Sequence, residues 1–211
     1  AGNTAPTVEL EFPEDGSIFA FGDRIPYKVT VTDPEDGEID CSKVMVNTAL
    51  GHNDHSHGDQ SMTGCTGEFT IPGAWEDKTQ HIWYIVNASY TDSTTGLELT
   101  GQSQVELEWK TLQAEQFDAN SGFTTNVVAN AMGGQRMGYT DAGDWLRFDK
   151  INFVGITGVT VRSSGTADGT LQLRADSPTG PLVASIAMVS TGDWEVYRTS
   201  EVATITDPGG T

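Results

Sequence analysis

The sequence predicts an all-β protein made of two β-sandwich domains. Three observations carry that expectation. Short apolar runs alternate with polar residues at period two, and no long segment repeats at the helical period. The 24 glycines, with clusters of Asp, Pro, Ser and Thr, break those runs into pieces of strand length. At 211 residues the chain is long enough for two modest cores, and a second, non-repeating pattern begins near Lys110.

In chain order, TVELEF is the first strand, PEDGSIF a turn and IPYKVTVT the next strand. In the latter, Tyr27, Val29 and Val31 are expected to face inward, with Lys28, Thr30 and Thr32 outward. DPEDGEID is a turn and KVMVNTAL a strand. After the histidine-rich stretch ALGHNDHSHGDQSMTGC come GEFTIPG, HIWYIVNASYTD and QVELEWK. About seven short strands at regular spacing are the pattern of an immunoglobulin-like sandwich, with Trp83 as its expected core aromatic. The second half continues with LQAEQFD, DWLRFDKINF, GITGVTVRSS, GTLQLRAD, PLVASIAMV and WEVYRTSEV. Leu171, Leu173 and Ala175 alternate there with Gln172 and Arg174, as in a half-buried strand. The domains are thus expected at 1–110 and 111–211.

Charge excludes some partners. Eleven basic residues against thirty acidic ones give a net charge of −19, which repels phosphate backbones and anionic lipid. Neither a nucleic-acid partner nor a membrane partner is expected, and no apolar run approaches the 18 residues of a spanning helix. AGNTAPTVEL lacks the regions of a signal peptide and starts like a linker, while TDPGGT ends without an evident strand. The expectation is a piece of a larger chain. Cys41 and Cys65 would be free thiols in the cytosol. In a secreted protein they would close a loop of about 25 residues, worth roughly 3–4 kcal/mol. The strand-rich, Asn/Gly/Thr-rich character favours the secreted, disulfide-bonded reading.

Two clusters have metal-ligand chemistry. His52, His55 and His57 fall within six residues, beside Asp54 and Asp59. In an extended segment His55 and His57 share a face and suit Zn²⁺ or Cu²⁺, with His52, Asp54, Asp59 or His81 completing the shell. The competing reading is a polar loop whose histidines serve as neutral hydrogen-bond partners, stapled by the bridge. In DPEDGEID, Asp33, Asp36 and Asp40 are candidate Ca²⁺ ligands, weighed against an ordinary acidic hairpin tip. No nucleophile elbow, Ser/His/Asp order or phosphate loop is present, so no catalytic residue is assigned and the chain is read as a non-enzyme.

In the second half, LQAEQFD, MGYTDAGDWLRFDKINF, GVTVRSS and GTLQLRADSPTGPLVASIAMVSTGDWEVY follow one another in an order and spacing that resemble a family 6 carbohydrate-binding module. Such modules are non-catalytic jelly rolls appended to polysaccharide-degrading enzymes. The resemblance implies that Tyr139 and Trp194 sandwich one sugar ring in a cleft of loops, with Asp141, Asp193 and Glu195 near its hydroxyls. The chemistry is apt: a pyranose offers apolar C–H faces to aromatic planes and a rim of hydroxyls to carboxylates. It also implies a structural Ca²⁺ held by Gln113 and Glu115 on one face of the first strand, with no organic cofactor. The family ends in a strand with a sugar-contacting Asn and a metal-holding Asp, which this sequence does not reach at Thr211. LQAEQFD would then be an open edge through which an oligomer can form.

Through FPEDGSIFAFGDRIPYKVTVTDPEDGEIDCSKV, the histidine-rich stretch and IWYIVNASYTD, residues 1–110 are similar, more loosely, to immunoglobulin-like domains of secreted bacterial multidomain carbohydrate-active proteins. The expected function is carbohydrate binding that targets an attached catalytic unit to polysaccharide. The partners are then oligo- or polysaccharide and other domains of the same parent chain. The alternatives are a metal-binding module or metal-dependent enzyme centred on the His52/His55/His57 loop, and a structural spacer with no ligand.

Overall fold

The period-two runs of the first half become eight strands: β1 (Thr7–Phe12), β2 (Ile18–Phe19), β3 (Arg24–Thr32), β4 (Met45–His52), β5 (His55–Thr63), β6 (Thr66–Thr70), β7 (Ile82–Thr91) and β8 (Thr100–Trp109). They belong to a computed structural model that describes residues 2–93 and 96–206. The chain divides into a first unit, Ala1–Leu112 with Lys150–Asn152, and a second, Gln113–Asp149 with Phe153–Thr211.

In the first unit, one sheet has the order β1-β3-β6 and the other β2-β8-β7-β4-β5. Their inner faces share one core. Leu10, Tyr27, Val29 and Phe69 come from the smaller sheet, and Val46, Tyr84, Val86 and Leu107 from the larger. Phe69 and Tyr84 stack across the core with ring centroids 5.8 Å apart. As expected, Tyr27, Val29 and Val31 are buried on β3 while Lys28 and Thr32 are exposed.

The core aromatics of β7 are Tyr84 and Tyr90 rather than Trp83. Ile82, Tyr84, Val86, Ala88 and Tyr90 are buried in strict alternation, which leaves Trp83 on the outer face. The run IWYIV is apolar at every position, so its hydrophobicity does not choose a face. Trp83 instead lies over Gly51, its partner across the ladder; a Cβ there would stand 2.1 Å from the indole. The buried Tyr84 hydroxyl donates to Asp59 Oδ2 (2.5 Å) and lies 2.9 Å from Thr48 Oγ1. Burial, then donation to Asp59, pushes its pKa far up. Tyr84→Phe is expected to cost about 1–2 kcal/mol in denaturant unfolding at an unchanged m-value, since it strips partners from Asp59 and Thr48 without opening a cavity.

Cys41 and Cys65 are bonded, with Cα atoms 5.1 Å apart. The bridge joins a 3-10 turn, Cys41–Lys43, to the residue preceding β6. The segment it closes is not an irregular loop. It is the β4–β5 hairpin, turned by Asn53-Asp54 with His52 opposite His55.

The second unit is built from short antiparallel pairs. They are β9 (Ala119–Ser121) with β12 (Trp145–Arg147), β10 (Thr124–Val127) with β11 (Gln135–Gly138), β13 (Gly158–Val159) with β18 (Ala203–Thr204), β14 (Arg162–Gly165) with β17 (Asp193–Thr199), and β15 (Gly169–Arg174) with β16 (Leu182–Met188). Val183, Ala184 and Ile205 form its buried centre, packed by Phe153, Ile156, Val159 and Leu173. Leu173 packs inward as its period predicts, but Leu171 is 38% exposed.

LQAEQFD is not a strand. Ala114–Gln116 is a 3-10 turn in which Gln116 N–H donates to Gln113 C=O at 3.0 Å, and the Gln116 side chain accepts from Gln113 N–H at 3.2 Å. These local bonds satisfy the backbone without a ladder, and the open strand edge expected there is absent. DWLRFDKINF likewise keeps only Trp145–Arg147 as strand, before Lys150 turns the chain at φ +58°.

Candidate functional site

Two aromatic side chains of the second unit are conspicuously uncovered: Tyr139 is 79% exposed and Trp194 58%. Neither is a core residue. Tyr139 directly follows β11 and sits at φ +57°, in the left-handed region that a bulky side chain avoids. Such strain costs on the order of 1–3 kcal/mol and gathers where a side chain must be aimed. Trp194 is the second residue of β17, after a bend whose Gly192 has φ +74°.

A hydrogen-bond cluster links their strands. Arg136, three residues before Tyr139, donates to the Trp194 carbonyl (2.5 Å) and to Glu195 Oε1 (3.1 Å). Ser164 on β14 donates to the same carbonyl at 2.7 Å, and Asn130 donates to the Glu195 carbonyl at 2.6 Å. The backbone that carries Trp194 is thereby held from two sides, by β11 and by β14. Sequence reasoning missed Arg136, Asn130 and Ser164. The one available signal was a basic residue close to an aromatic in a chain with only eleven basic residues.

The carboxylates have separate tasks. Glu195 gives one oxygen to Arg136, and Asp193 Oδ1 accepts from Glu195 N–H at 2.8 Å, bracing the start of β17. The N–H of Asp141 donates to Asp144 Oδ2 at 2.7 Å, and the Asp141 side chain is exposed. A concavity of about 210 Å³ lies elsewhere in the unit, lined by Ser163, Ser185, Arg198 and Val202 among others. It has no aromatic lining and so offers no stacking plane.

Gln113 and Glu115 lie on the 3-10 turn, where the period-two argument for a shared face does not apply. Gln113 is buried and its Nε2 finds no hydrogen-bond partner. Burial pushes the Glu115 carboxyl above the usual range.

In the acidic turn of the first unit the three carboxylates have separate hydrogen-bond partners. Asp33 Oδ1 accepts from the Glu35 and Asp36 N–H groups, both at 2.8 Å. Asp36 accepts from Ser93 Oγ (2.7 Å) and from the Tyr90 hydroxyl (3.0 Å), and Asp40 caps the 3-10 turn through Ser42 N–H (3.0 Å). The Ser93 hydroxyl first, and Tyr90 after it, hold the Asp36 carboxyl below its ordinary value. A depressed folded pKa contributes stability that is present above the unfolded pKa, near 4, and is lost as pH falls through the folded one. Asp36→Asn lacks that component at every pH, so its stability deficit against the wild type, read by denaturant unfolding with fluorescence, is expected to be full above pH about 4 and to shrink as pH falls below it.

Among the described residues, the one group of three or more His, Cys, Asp or Glu whose ligand atoms all lie within 4.8 Å of one another is His52, His55 and His57. Of the other residues considered with them, Asp59 accepts from Tyr84. His81 lies 3.6 Å from Glu108 and packs on Trp83. The pKa of His52 is lowered by burial first and then by the charges of His55 and His57.

Comparison with known proteins bears on the second unit. Residues 113–211 match the family model described as carbohydrate binding module (family 6). Two proteins named endo-1,4-β-xylanase A, both from Thermoclostridium stercorarium, are 30% identical over 89 residues. That is 42% of this chain but 17% and 14% of theirs, so the chain spans only a small part of these curated relatives. A module from Clostridium stercorarium, solved in complex with cellobiose, is 32% identical; the match covers 47% of this chain and 76% of that one, with a TM-score of 0.43. A family 6 module from Clostridium cellulolyticum, solved in complex with xylose, is 29% identical over the same shares, with a TM-score of 0.44.

Proposed function

Through residues 113–211 this chain belongs to the family 6 carbohydrate-binding modules, and from that premise we propose that its second unit binds β-linked oligosaccharides without acting on them. The observation that carries the site assignment is the exposed pair Tyr139 and Trp194, one on a strained backbone and the other held by Arg136 and Ser164. Exposed aromatic planes stack on the C–H faces of a sugar, and Asp141, Asp193 and Glu195 supply acceptors for its hydroxyls. Xylo- and cello-oligosaccharides are the ligand classes to expect, because relatives are xylanases or were solved with cellobiose or xylose.

In a parent protein the unit would hold an attached catalytic domain on polysaccharide and raise its local substrate concentration. An extracellular setting suits the Cys41–Cys65 bridge. Calorimetric titration with xylan, β-glucan and agarose oligosaccharides tests the reading. Saturable binding to a xylo- or cello-oligosaccharide is expected; heats no larger than dilution across the panel would sink it.

A structural Ca²⁺ at Gln113 and Glu115 belongs to the same proposal. It is supported by the half-buried Glu115 carboxylate, whose pKa burial raises, beside the buried amide of Gln113. One carboxylate and one amide oxygen are two of the six to eight ligands the ion takes, so they anchor the site and other oxygens complete it. Adding EDTA is expected to lower the melting temperature of the second unit, and excess Ca²⁺ to restore it. Without the ion, ionising Glu115 costs stability as pH rises from its unfolded towards its raised folded pKa. The EDTA effect is therefore expected to grow over that interval.

A further inference from the structure

From the β4–β5 hairpin we infer that His52, His55 and His57 form a binding site for one divalent transition-metal ion, with Zn²⁺ the occupant whose geometry the spacing fits. The site lies in the first unit and does not depend on the sugar-binding reading.

The ladder explains why the three rings meet. His52 is directly opposite His55, and His57 opposite Leu50, so the histidines are direct and diagonal neighbours on one face of the hairpin. On the other side of β4, His52 pairs with the buried Ile82 and Leu50 with the buried Tyr84. The histidines therefore continue the inner face of the sheet to the hairpin tip, at the margin of the core. Trp75 covers the His52 ring at 5.1 Å. His81, one residue before Ile82, falls on the opposite face and takes no part.

The distances match a metal's demands. His52 Nε2 and His57 Nε2 stand 3.2 Å apart. Two imidazole nitrogens on one tetrahedral Zn²⁺, each at about 2.05 Å, stand about 3.4 Å apart. Adjacent ligands of a square-planar ion would stand about 2.8 Å apart, a poorer match. Without metal, this contact requires a proton on one of the two nitrogens; an ion replaces that proton and uses both lone pairs. His52 Nδ1 is buried with no hydrogen-bond partner, so Nε2 is the nitrogen that faces the cluster.

The third ligand already has its supporting carboxylate. His55 Nδ1 is 3.0 Å from Asp54 Oδ1. A carboxylate on one ring nitrogen fixes the tautomer that leaves the other, here Nε2, free for a metal, and makes it more basic. Three imidazoles occupy three positions of a tetrahedron and leave the fourth to water.

The test uses the whole 211-residue chain. Protein stripped with chelator, incubated with Zn²⁺ and dialysed against metal-free buffer is expected to retain one zinc by elemental analysis. Zinc is also expected to raise the first unit's melting temperature. His55→Ala and His57→Ala, both at exposed positions, should lose the ion while keeping the unperturbed circular dichroism of a folded chain. Asp54→Asn should weaken binding about 10–100-fold, the usual effect of an outer-shell carboxylate. His81→Ala should change nothing. No retained zinc in the folded wild type, or zinc that survives both His55→Ala and His57→Ala, overturns the inference. So does equal loss in His81→Ala.

Discussion

Trp194→Ala is expected to weaken oligosaccharide binding at least about 30-fold, equivalent to about 2 kcal/mol of a single aromatic anchor. The side chain is more than half exposed and contributes nothing to the buried centre made by Val183, Ala184 and Ile205. Its removal should therefore leave thermal unfolding almost unchanged. That separation is the point of the experiment: affinity falls while stability holds. Tyr139→Phe should retain most binding, because stacking uses the ring and not the hydroxyl, whereas Tyr139→Ala should behave like Trp194→Ala. Arg136→Ala should give an intermediate loss, since it removes one of the two donors that hold the Trp194 carbonyl without removing a plane. If Trp194→Ala binds as the wild type does, the sugar site lies elsewhere on the unit. The aromatic-free concavity near Arg198 and Val202 would then be the next place to look.

Replacing Cys41 and Cys65 together by Ser is expected to destabilise the first unit by roughly 3 kcal/mol, the chain-entropy worth of a bridge spanning 24 positions. For a unit of this size that is roughly 12 °C in melting temperature. The bridge fastens the ends of a segment made of β4 and β5, the latter being the edge strand of its sheet. An edge strand has one neighbour to hold it, so opening the bridge should loosen β5 before the rest. Hydrogen exchange should therefore rise first along His55–Thr63. The second unit's transition should stay where it was. A loss under about 1 kcal/mol would mean that the core alone holds the hairpin.

The β-sandwich of the first unit was legible because its strands alternate cleanly. β3 shows this best: Tyr27, Val29 and Val31 are apolar, their neighbours polar, and the structure buries the expected face. Where both faces are apolar, as in IWYIV, pattern has no power to choose, and Trp83 was placed one residue out of phase with the true core residue Tyr84. The β4–β5 turn escaped notice for another reason. Asn-Asp lacks the Gly that usually announces a two-residue hairpin, although Asn53 does adopt the left-handed conformation the turn needs, at φ +56°. In the second unit, strand lengths were overestimated wherever local bonds compete with the ladder, as in the Gln113–Gln116 turn.

The sequence by itself determined the all-β class, the two-part organisation and the placing of Tyr139 and Trp194 outside the core, because these rest on local periodicity and on residue types in a fixed order. The tertiary structure decided which residues work together. Arg136 and Ser164 reach Trp194 across 58 and 30 positions of chain. His52 meets His57 only because a hairpin folds them onto one face. Asp33, Asp36 and Asp40, crowded in sequence, each bond to different partners. Proximity along a chain fixes neither direction nor register, and a site consists of both.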